Sequence, residues 1–160
     1  MGPTDRTLEK GDVLIIDTGS TYDGYFCDFD RNFAFGRLSD ETRFAYQVVF
    51  QATDAGFKMA YPGNTTSDVW KAMWDVLEKG GALGNNVGRL GHGLGMELTE
   101  WPSVTLDDNT LLEPGMILTL EPGMTFSPGK QMVHEENIVI TEDGAKMLSN
   151  RAPYEMPIIQ

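Results

Sequence analysis

The first 35 residues combine a short apolar run, a cluster of turn-forming residues and an aromatic-rich segment. The β-branched run Val13–Ile16 follows Lys10-Gly11-Asp12 and is closed by Asp17-Thr18-Gly19, which is typical of a buried strand. Turn-forming residues fill positions 20–24, and the aromatic-rich segment covers residues 25–35. We therefore predict a β-hairpin whose first strand ends at Asp17 and whose second strand covers residues 25–35.

Two later segments carry apolar residues at helical spacing. Ser39 is a suitable N-cap for a helix over residues 40–60, which Tyr61-Pro62-Gly63 ends. The segment 65–68 opens a second helix, which Gly80-Gly81 stops. We assign both apolar stripes to core packing; they comprise Phe44, Val48, Ala52, Ala55 and Met59 in the first helix, and Val69, Met73, Val76 and Leu77 in the second.

From residue 84 onward glycine becomes frequent and the periodicity fades. The apolar run at 116–120 and the segment 133–141, which lies between turn-forming residues, predict two further strands, and the tail over residues 152–160 predicts a strap or loop. The resulting order, β-β-α-α-β-β, predicts an α+β chain in which helices cover one face of an antiparallel sheet.

Composition narrows the possible classes of protein. The chain has 160 residues, 41% of them hydrophobic, which is enough for one domain with a core. No stretch approaches the roughly 18 apolar residues of a membrane span, and the N-terminus lacks a secretory pattern, so we expect a cytoplasmic protein. The net charge of -12 argues against nucleic acid and anionic membrane as partners. The single cysteine, Cys27, provides neither an internal disulfide nor a thiolate metal cage.

Three acidic residues lie beside apolar strands rather than on polar faces: Asp17, Glu121 and Glu135. A carboxylate in an apolar sheet is unfavourable unless it is paired or binds a metal, and basic residues are few nearby. Asp28 lies on the second arm of the hairpin, where cross-strand pairing would place it on the same face as Asp17. At any single one of these positions, a strand-end cap or a turn is the simpler interpretation.

One histidine stands out because glycines surround it. His92 lies in Gly91–Gly95, where the absence of side chains lets the backbone pack tightly; the alternative is a flexible glycine-rich turn. An imidazole with four carboxylates suits Mn, Co, Zn or Fe, and four carboxylates suffice to bridge two such ions. Two ions roughly 3.5–4 Å apart generate hydroxide from a bridging water and stabilise an oxyanion. From residue types alone this is one possibility among several.

The order of these residues resembles the metal-ligand set of the creatinase, methionine aminopeptidase and prolidase family, whose catalytic domain has the pita-bread fold. Within the family, the spacing is most similar to that of the prolidase branch, with its Xaa-Pro dipeptidases and aminopeptidase P-like proteins. Four motifs carry the resemblance: Leu14–Gly19 with Gly24, Tyr25 and Asp28; Gly91–Gly95; Leu120–Met124; and Glu135–Thr141 with Gly144.

The resemblance implies a role for each residue. Asp17 and Asp28 would hold one divalent ion and His92 and Glu121 the other, with Asp28 and Glu135 bridging the two. Glu121 would also be the general base. The implied activity is that of a two-metal hydrolase, in which a bridging hydroxide attacks a carbon of a small peptide, amide or amidine substrate. We also expect a homodimer.

The choice between Glu135 and Glu136 depends on register. Adjacent residues of a strand face opposite ways, so only one of the two reaches the metals. We choose Glu135, because its distance to the following apolar run resembles the family pattern. Glu136 is then expected behind the ligands or at the surface.

The chain departs from the family pattern at three positions. Thr99 replaces a second histidine that peptidases of the family usually carry, and Val133 replaces an arginine that binds the substrate carboxylate. Thr99 and His134, the residue beside Val133, are our candidates for substrate contact. Asp30 stands where threonine or serine is common; it either touches the site or pairs with Arg31.

These departures leave other functions open. One alternative is a non-peptidase family member, such as an ectoine hydrolase-like C–N hydrolase or a related lyase. Another is an inactive fragment or a binding module. Compared with the family's catalytic domain, we expect residues 1–160 to form a single partial domain, the C-terminal portion, with the N-terminal portion absent.

Overall fold

A computed structural model describes residues 4–84 and 88–159 of the chain. Within these residues the predicted α+β class is confirmed, with two helices and antiparallel sheets. The elements are β1 (Val13–Tyr22), β2 (Tyr25–Phe35), α1 (Asp40–Met59), α2 (Thr66–Lys79), β3 (His92–Gly93), β4 (Glu100–Ser103), β5 (Ile117–Leu120), β6 (Gly123–Ser127), β7 (Lys130–Val133), β8 (Glu136–Thr141), β9 (Gly144–Met147) and β10 (Ile158–Ile159).

The N-terminal hairpin is longer than the sequence predicts. Strand β1 continues through Asp17 to Tyr22, so the prediction that it ends at Asp17 is wrong. The turn consists of Asp23 and Gly24 alone, both with positive φ, as a two-residue hairpin turn with right-handed strand twist requires. Continuous pairing with the aromatic-rich β2 therefore prevails over the turn propensity of residues 20–22.

The helix bounds agree with the prediction, but the buried face of α1 agrees only in part. The Ser39 side chain accepts a hydrogen bond from the Thr42 N–H at 3.1 Å and caps α1 as expected. Val48 and Ala52 are buried as predicted, whereas Phe44 is 56% exposed, and the packed face also carries Ala45, Val49 and Gly56. Small residues prevail because α2 approaches closely: a Cβ at Gly56 would lie 2.7 Å from the Met73 sulfur.

Helix α2 follows the prediction more closely. Thr65 and Asp68 form a reciprocal capping box at its start, and Gly80 follows its last turn. Its buried stripe, with Val69, Met73 and Leu77 fully buried, packs against α1. Neither α1 nor α2 combines the length and apolar character needed to cross a membrane, within the parts of the chain that the structure describes.

The strands form three sheets with the orders β1-β2-β10, β4-β3-β5-β8-β9 and β6-β7. The predicted single strand over 133–141 is wrong, because β7 ends at Val133 and β8 begins at Glu136, leaving residues 134 and 135 outside the ladders. The predicted tail strap contains β10, which pairs in parallel with the end of β2.

Alternate residues of β5 and β8 point either into the apolar core or to the opposite face of the five-stranded sheet. Leu118 lies opposite Ile138 across this pair, and both are fully buried within the apolar core that includes α1 and α2. Thr119 lies opposite Asn137, and both point to the other face. Since Glu136 pairs with Leu120, it shares the core-facing parity, and Glu135 takes the opposite one.

Candidate metal centre

Three side chains from separate elements converge on the face opposite the core. Asp28 lies on β2, His92 on β3 and Glu135 at the β7–β8 junction, and each offers an atom that lies within 4.8 Å of the others. His92 Nε2 is 3.7 Å from Asp28 Oδ2. Residues separated by more than 40 positions are thus assembled into one potential ligand group.

His92 is oriented by its neighbours to present Nε2. Its Nδ1 lies 2.8 Å from the Gly93 carbonyl oxygen, which requires the proton on Nδ1 and leaves the Nε2 lone pair for a ligand. Burial lowers the pKa of His92, which favours the neutral form that binds metals. A Cβ at Gly91 would collide with the Thr119 carbonyl oxygen, so this glycine is needed to bring β3 beside β5.

Glu135 carries an unsatisfied oxygen. The residue is 2% exposed, and among the described residues its Oε1 has no hydrogen-bond partner. Burial raises its pKa to about 9, with a further contribution from the charges of Glu121, Asp28, Asp30 and Asp17. A buried carboxylate oxygen without a donor is a strong signal that a cation belongs beside it.

The two other predicted ligands, Asp17 and Glu121, face the same cluster. Asp17 lies opposite Asp30 in the β1–β2 ladder, one diagonal step from Asp28, and its charge raises the pKa of Asp28 in addition to burial. Glu121 follows β5 directly, and burial raises its pKa to about 7, with Arg89 opposing and Asp28 and Asp17 adding to the rise. Negative charge therefore accumulates around the Asp28, His92 and Glu135 group.

These residues fit a divalent-metal centre. Carboxylate oxygens accept but do not donate, and a neutral imidazole adds a nitrogen ligand, which is the donor set of hard to borderline divalent ions. The unsatisfied Glu135 Oε1 and the raised pKa values of Glu135 and Glu121, due first to burial and then to neighbouring carboxylates, indicate a site that the surrounding groups compensate only partly.

Glu136, the neighbour of Glu135, has a different environment. It is fully buried on the core-facing side, so of the two positions expected for it, behind the ligands or at the surface, the surface is wrong. Its carboxylate accepts from Arg31 Nη2 at 3.2 Å, from Arg151 Nη1 at 3.5 Å and from the Ala152 N–H at 2.8 Å, as well as from the Ser149 hydroxyl. The core face thus satisfies this carboxylate with protein donors.

His134 is a core residue, and the hypothesis that it contacts the substrate is wrong. The ring is fully buried, with Nδ1 3.0 Å from Thr53 Oγ1 on α1, and it makes edge contacts with Phe50 and Tyr46. Burial, together with the smaller effect of the charges of Arg151 and Arg31, lowers its pKa to about 3. A substrate cannot reach this ring while α1 covers it.

Thr99, the other candidate for substrate contact, lies in the exposed segment 96–99. Its role stays a prediction. Asp30 resolves one of the alternatives left open by the sequence: its carboxylate accepts from the Glu135 N–H at 3.1 Å, whereas the Arg31 guanidinium donates to the Asp30 backbone carbonyl and to Glu136. Asp30 therefore touches the site.

Two residues that support the site were not predicted from the sequence. Asn137 accepts from the Asp28 N–H at 3.0 Å and donates to the Asp28 carbonyl, so it joins β8 to β2. Thr119 accepts from the His92 N–H at 3.1 Å. Both are polar residues inside apolar strands, a signal that would have identified the face of the sheet on which the site lies.

Comparisons with known proteins place this geometry in context. The profile of metallopeptidase family M24 matches residues 1–143. The Xaa-Pro dipeptidase of Pyrococcus furiosus is 32% identical over 146 residues, 91% of this chain and 42% of that protein. A probable dipeptidase, PepE, of Mycobacterium tuberculosis is 36% identical over 160 residues, 99% of this chain and 42% of that protein. The chain thus spans less than half the length of these curated relatives.

Solved structures show the same likeness. A dipeptidase from Pyrococcus horikoshii has a TM-score of 0.91 at 33% identity, with 98% of this chain and 44% of that chain covered. The prolidase from Pyrococcus furiosus has a TM-score of 0.87 at 31% identity, covering 94% and 44%. A methionine aminopeptidase from Rickettsia prowazekii, at 23% identity and a TM-score of 0.81, shares the fold. The predicted pita-bread fold is confirmed.

Proposed function

The chain belongs to metallopeptidase family M24, and we propose that it carries the two-metal centre of a peptidase of Xaa-Pro dipeptidase type. The observation that carries the proposal is the group of Asp28, His92 and Glu135, whose ligand atoms lie within 4.8 Å of one another. The names of the relatives, an Xaa-Pro dipeptidase and a probable dipeptidase, support a small peptide as substrate.

The ligand assignment divides the cluster between two ions. Asp17 and Asp28 would hold one, His92 and Glu121 the other, and Asp28 and Glu135 would be shared. The assignment is supported by the single face on which the hairpin presents Asp17 and Asp28, and by the charges of these two carboxylates, which add to the rise that burial causes in the pKa of Glu135. The predicted Mn, Co, Zn or Fe identity and the homodimer stay predictions.

The chain's own groups would move the proton. Two divalent ions held at such a site polarise a substrate carbonyl and lower the pKa of a water molecule. Glu121 would accept a proton from the attacking water on its carboxylate and pass it to the leaving amine. Asp28 and Glu135 would keep the reacting centre aligned.

Metal content and turnover measured together test this proposal. The purified chain, Asp28→Asn and Asp23→Asn would be compared by elemental analysis after Mn²⁺ loading and by hydrolysis of a panel of Xaa-Pro dipeptides. Asp23→Asn is the matched control, because it removes the same charge from the turn of the same hairpin. We expect two ions and turnover in the wild type and the control, and loss of both in Asp28→Asn. Equal metal content in all three proteins would refute the site.

A second function, hydrolysis of a non-peptide C–N bond, is favoured by one observation. The chain has two histidines, and His134 is buried beneath α1, so its own residues offer no second imidazole to a peptide substrate at the site. Stoichiometric metal with turnover of a cyclic amidine such as ectoine, but not of dipeptides, would support this alternative. A chain without stoichiometric metal would instead be an inactive fragment or a binding module.

A further inference from the structure

Glu135 lies between two strands and belongs to neither. Strand β7 ends at Val133 and β8 begins at Glu136, so within the described residues the peptide groups of residue 135 have no ladder partners. We propose that Asp30 is a positioning residue for the metal centre: by accepting the Glu135 N–H, its side chain keeps the Glu135 carboxylate aimed at the ligand group. The inference rests on the proposed function, because it concerns the same site.

Consecutive residues of β2 hold this junction. Asp30 Oδ1 accepts from the Glu135 N–H at 3.1 Å, and Arg31 Nη1 donates to the Glu135 carbonyl at 3.3 Å. Asn32 Nδ2 donates to the Val133 carbonyl at 2.8 Å and to Asp30 Oδ1 at 3.3 Å. Both backbone groups of Glu135 are therefore bound by side chains of one neighbouring strand.

The orientation of the backbone between β7 and β8 determines which of the two glutamate carboxylates reaches Asp28 and His92. Glu135 and Glu136 are both buried, and they point to opposite faces of the sheet. Rotation of the peptide unit before Glu135 would move its carboxylate away from Asp28 and His92. The hydrogen bond to Asp30 opposes that rotation, because a buried N–H without an acceptor is strongly disfavoured.

Asp30 acts through Glu135 rather than as a ligand. Among the described residues, the group whose ligand atoms lie within 4.8 Å comprises Asp28, His92 and Glu135 and does not include Asp30. Asp30 is 1% exposed, and its Oδ1 is already occupied by two donors. The feature that matters is an acceptor oxygen at this position, and an asparagine side chain provides one as well.

The acceptor and the charge are separable by substitution. Asp30→Asn keeps an acceptor oxygen and removes the charge, whereas Asp30→Ala removes both. Asp23→Asn removes a charge from the hairpin turn and serves as the control for net charge. Asp30→Leu, which is close to asparagine in size but has no acceptor, replaces Asp30→Ala if that variant does not fold by circular dichroism.

Two measurements on the full chain test the inference. Mn²⁺ titration calorimetry, with the Co²⁺ absorption spectrum as a report on ligand geometry, should show binding weakened roughly tenfold or more in Asp30→Ala. Asp30→Asn should recover most of the affinity and the wild-type Co²⁺ spectrum. In the metal-free chain, amide exchange at Glu135 followed by NMR should accelerate in Asp30→Ala and remain slow in Asp30→Asn.

The outcomes separate this inference from the proposed function. Wild-type affinity and slow Glu135 exchange in Asp30→Ala would overturn the inference alone. So would equal losses in Asp30→Asn and Asp30→Ala, because the charge and not the acceptor would then matter. A wild-type chain that binds no Mn²⁺ or Co²⁺ would overturn the proposed function and this role with it.

Discussion

Glu135 and Glu136 are consecutive, almost equally buried carboxylates whose environments are opposite. Glu136 faces the core side, where Arg31, Arg151 and a backbone N–H donate to it. Glu135 faces the cluster, where other carboxylates surround it and one of its oxygens has no hydrogen-bond partner in the part of the chain that the structure describes. The difference teaches that burial alone does not distinguish a structural carboxylate from a ligand; the distinction lies in whether the protein itself supplies the compensating donors.

Substitution of Glu136, whose carboxylate accepts from several protein donors, should have the largest effect, and that effect is on stability. Glu136→Gln removes the charge that pairs with Arg31 and Arg151, so we expect the free energy of unfolding to fall by about 3 kcal/mol. This is the low end for a broken buried pair, because the arginine side chains are 21% and 22% exposed and regain water. Urea unfolding followed by circular dichroism measures the change. A loss no larger than that of Glu135→Gln would break the contrast between the two residues.

Substitution of Glu135 should instead weaken metal binding. Glu135→Gln replaces a charged ligand by a neutral amide, so we expect Mn²⁺ affinity to fall at least about 100-fold, equivalent to roughly 2.7 kcal/mol. Titration calorimetry measures it, with Ser149→Ala, a change on the Glu136 side, as the control. Retention of wild-type affinity in Glu135→Gln would remove Glu135 from the ligand set.

The pH dependence of the free energy of unfolding of the metal-free chain should also reveal the environment of Glu135. Burial raises the folded-state pKa of Glu135 to about 9 from the usual 4.5, so between those values the folded chain keeps a proton that the unfolded chain has lost. Stability therefore falls as pH rises, by about 1 to 2 kcal/mol between pH 7.5 and 9.

The pH window isolates Glu135 from its neighbours. Asp30 and Glu121, with pKa values of about 7, are largely ionised by pH 7.5, and His134, at about 3, is neutral in both states. Urea unfolding in EDTA at each pH measures the slope, which should vanish in Glu135→Gln. An equal slope in the variant would assign the effect to another group.

The smallest expected effect concerns a single donor to Glu136. Ser149→Ala removes a hydroxyl that donates to the Glu136 carboxylate, while the two arginines and the Ala152 N–H remain. We expect a loss of about 1 kcal/mol in the free energy of unfolding and unchanged Mn²⁺ affinity. Thermal and urea unfolding measure the first, and calorimetry measures the second. A marked fall in Mn²⁺ affinity would show that the two faces are coupled.

Sequence patterns predicted those features that depend on residues close together in the chain. The Ser39 cap, the bounds of both helices and the second strand of the hairpin follow from capping residues and periodicity. The patterns did not predict features that depend on contacts between residues remote in sequence. Phe44 has an apolar side chain at helical spacing yet is exposed, because the close approach of α2 selects the small residues on the adjacent face. The break at residues 134 and 135 was likewise not predicted, because the side chains that bind the backbone of Glu135, Asp30 and Arg31, lie on a strand remote in sequence.

By itself, the sequence determined the residue types, the order of the motifs and the parity argument that only one of Glu135 and Glu136 can face the metals, while the resemblance to the family pattern favoured Glu135. Only the tertiary structure decided that the ligand atoms of Asp28, His92 and Glu135 lie within 4.8 Å of one another, because this arrangement requires contact between three elements that are separate in sequence. It also placed His134 in the core and assigned Asp30 to the Glu135 N–H. The reason is physical: covalent order sets which groups are present, whereas burial and hydrogen-bond partners are properties of neighbours remote in sequence.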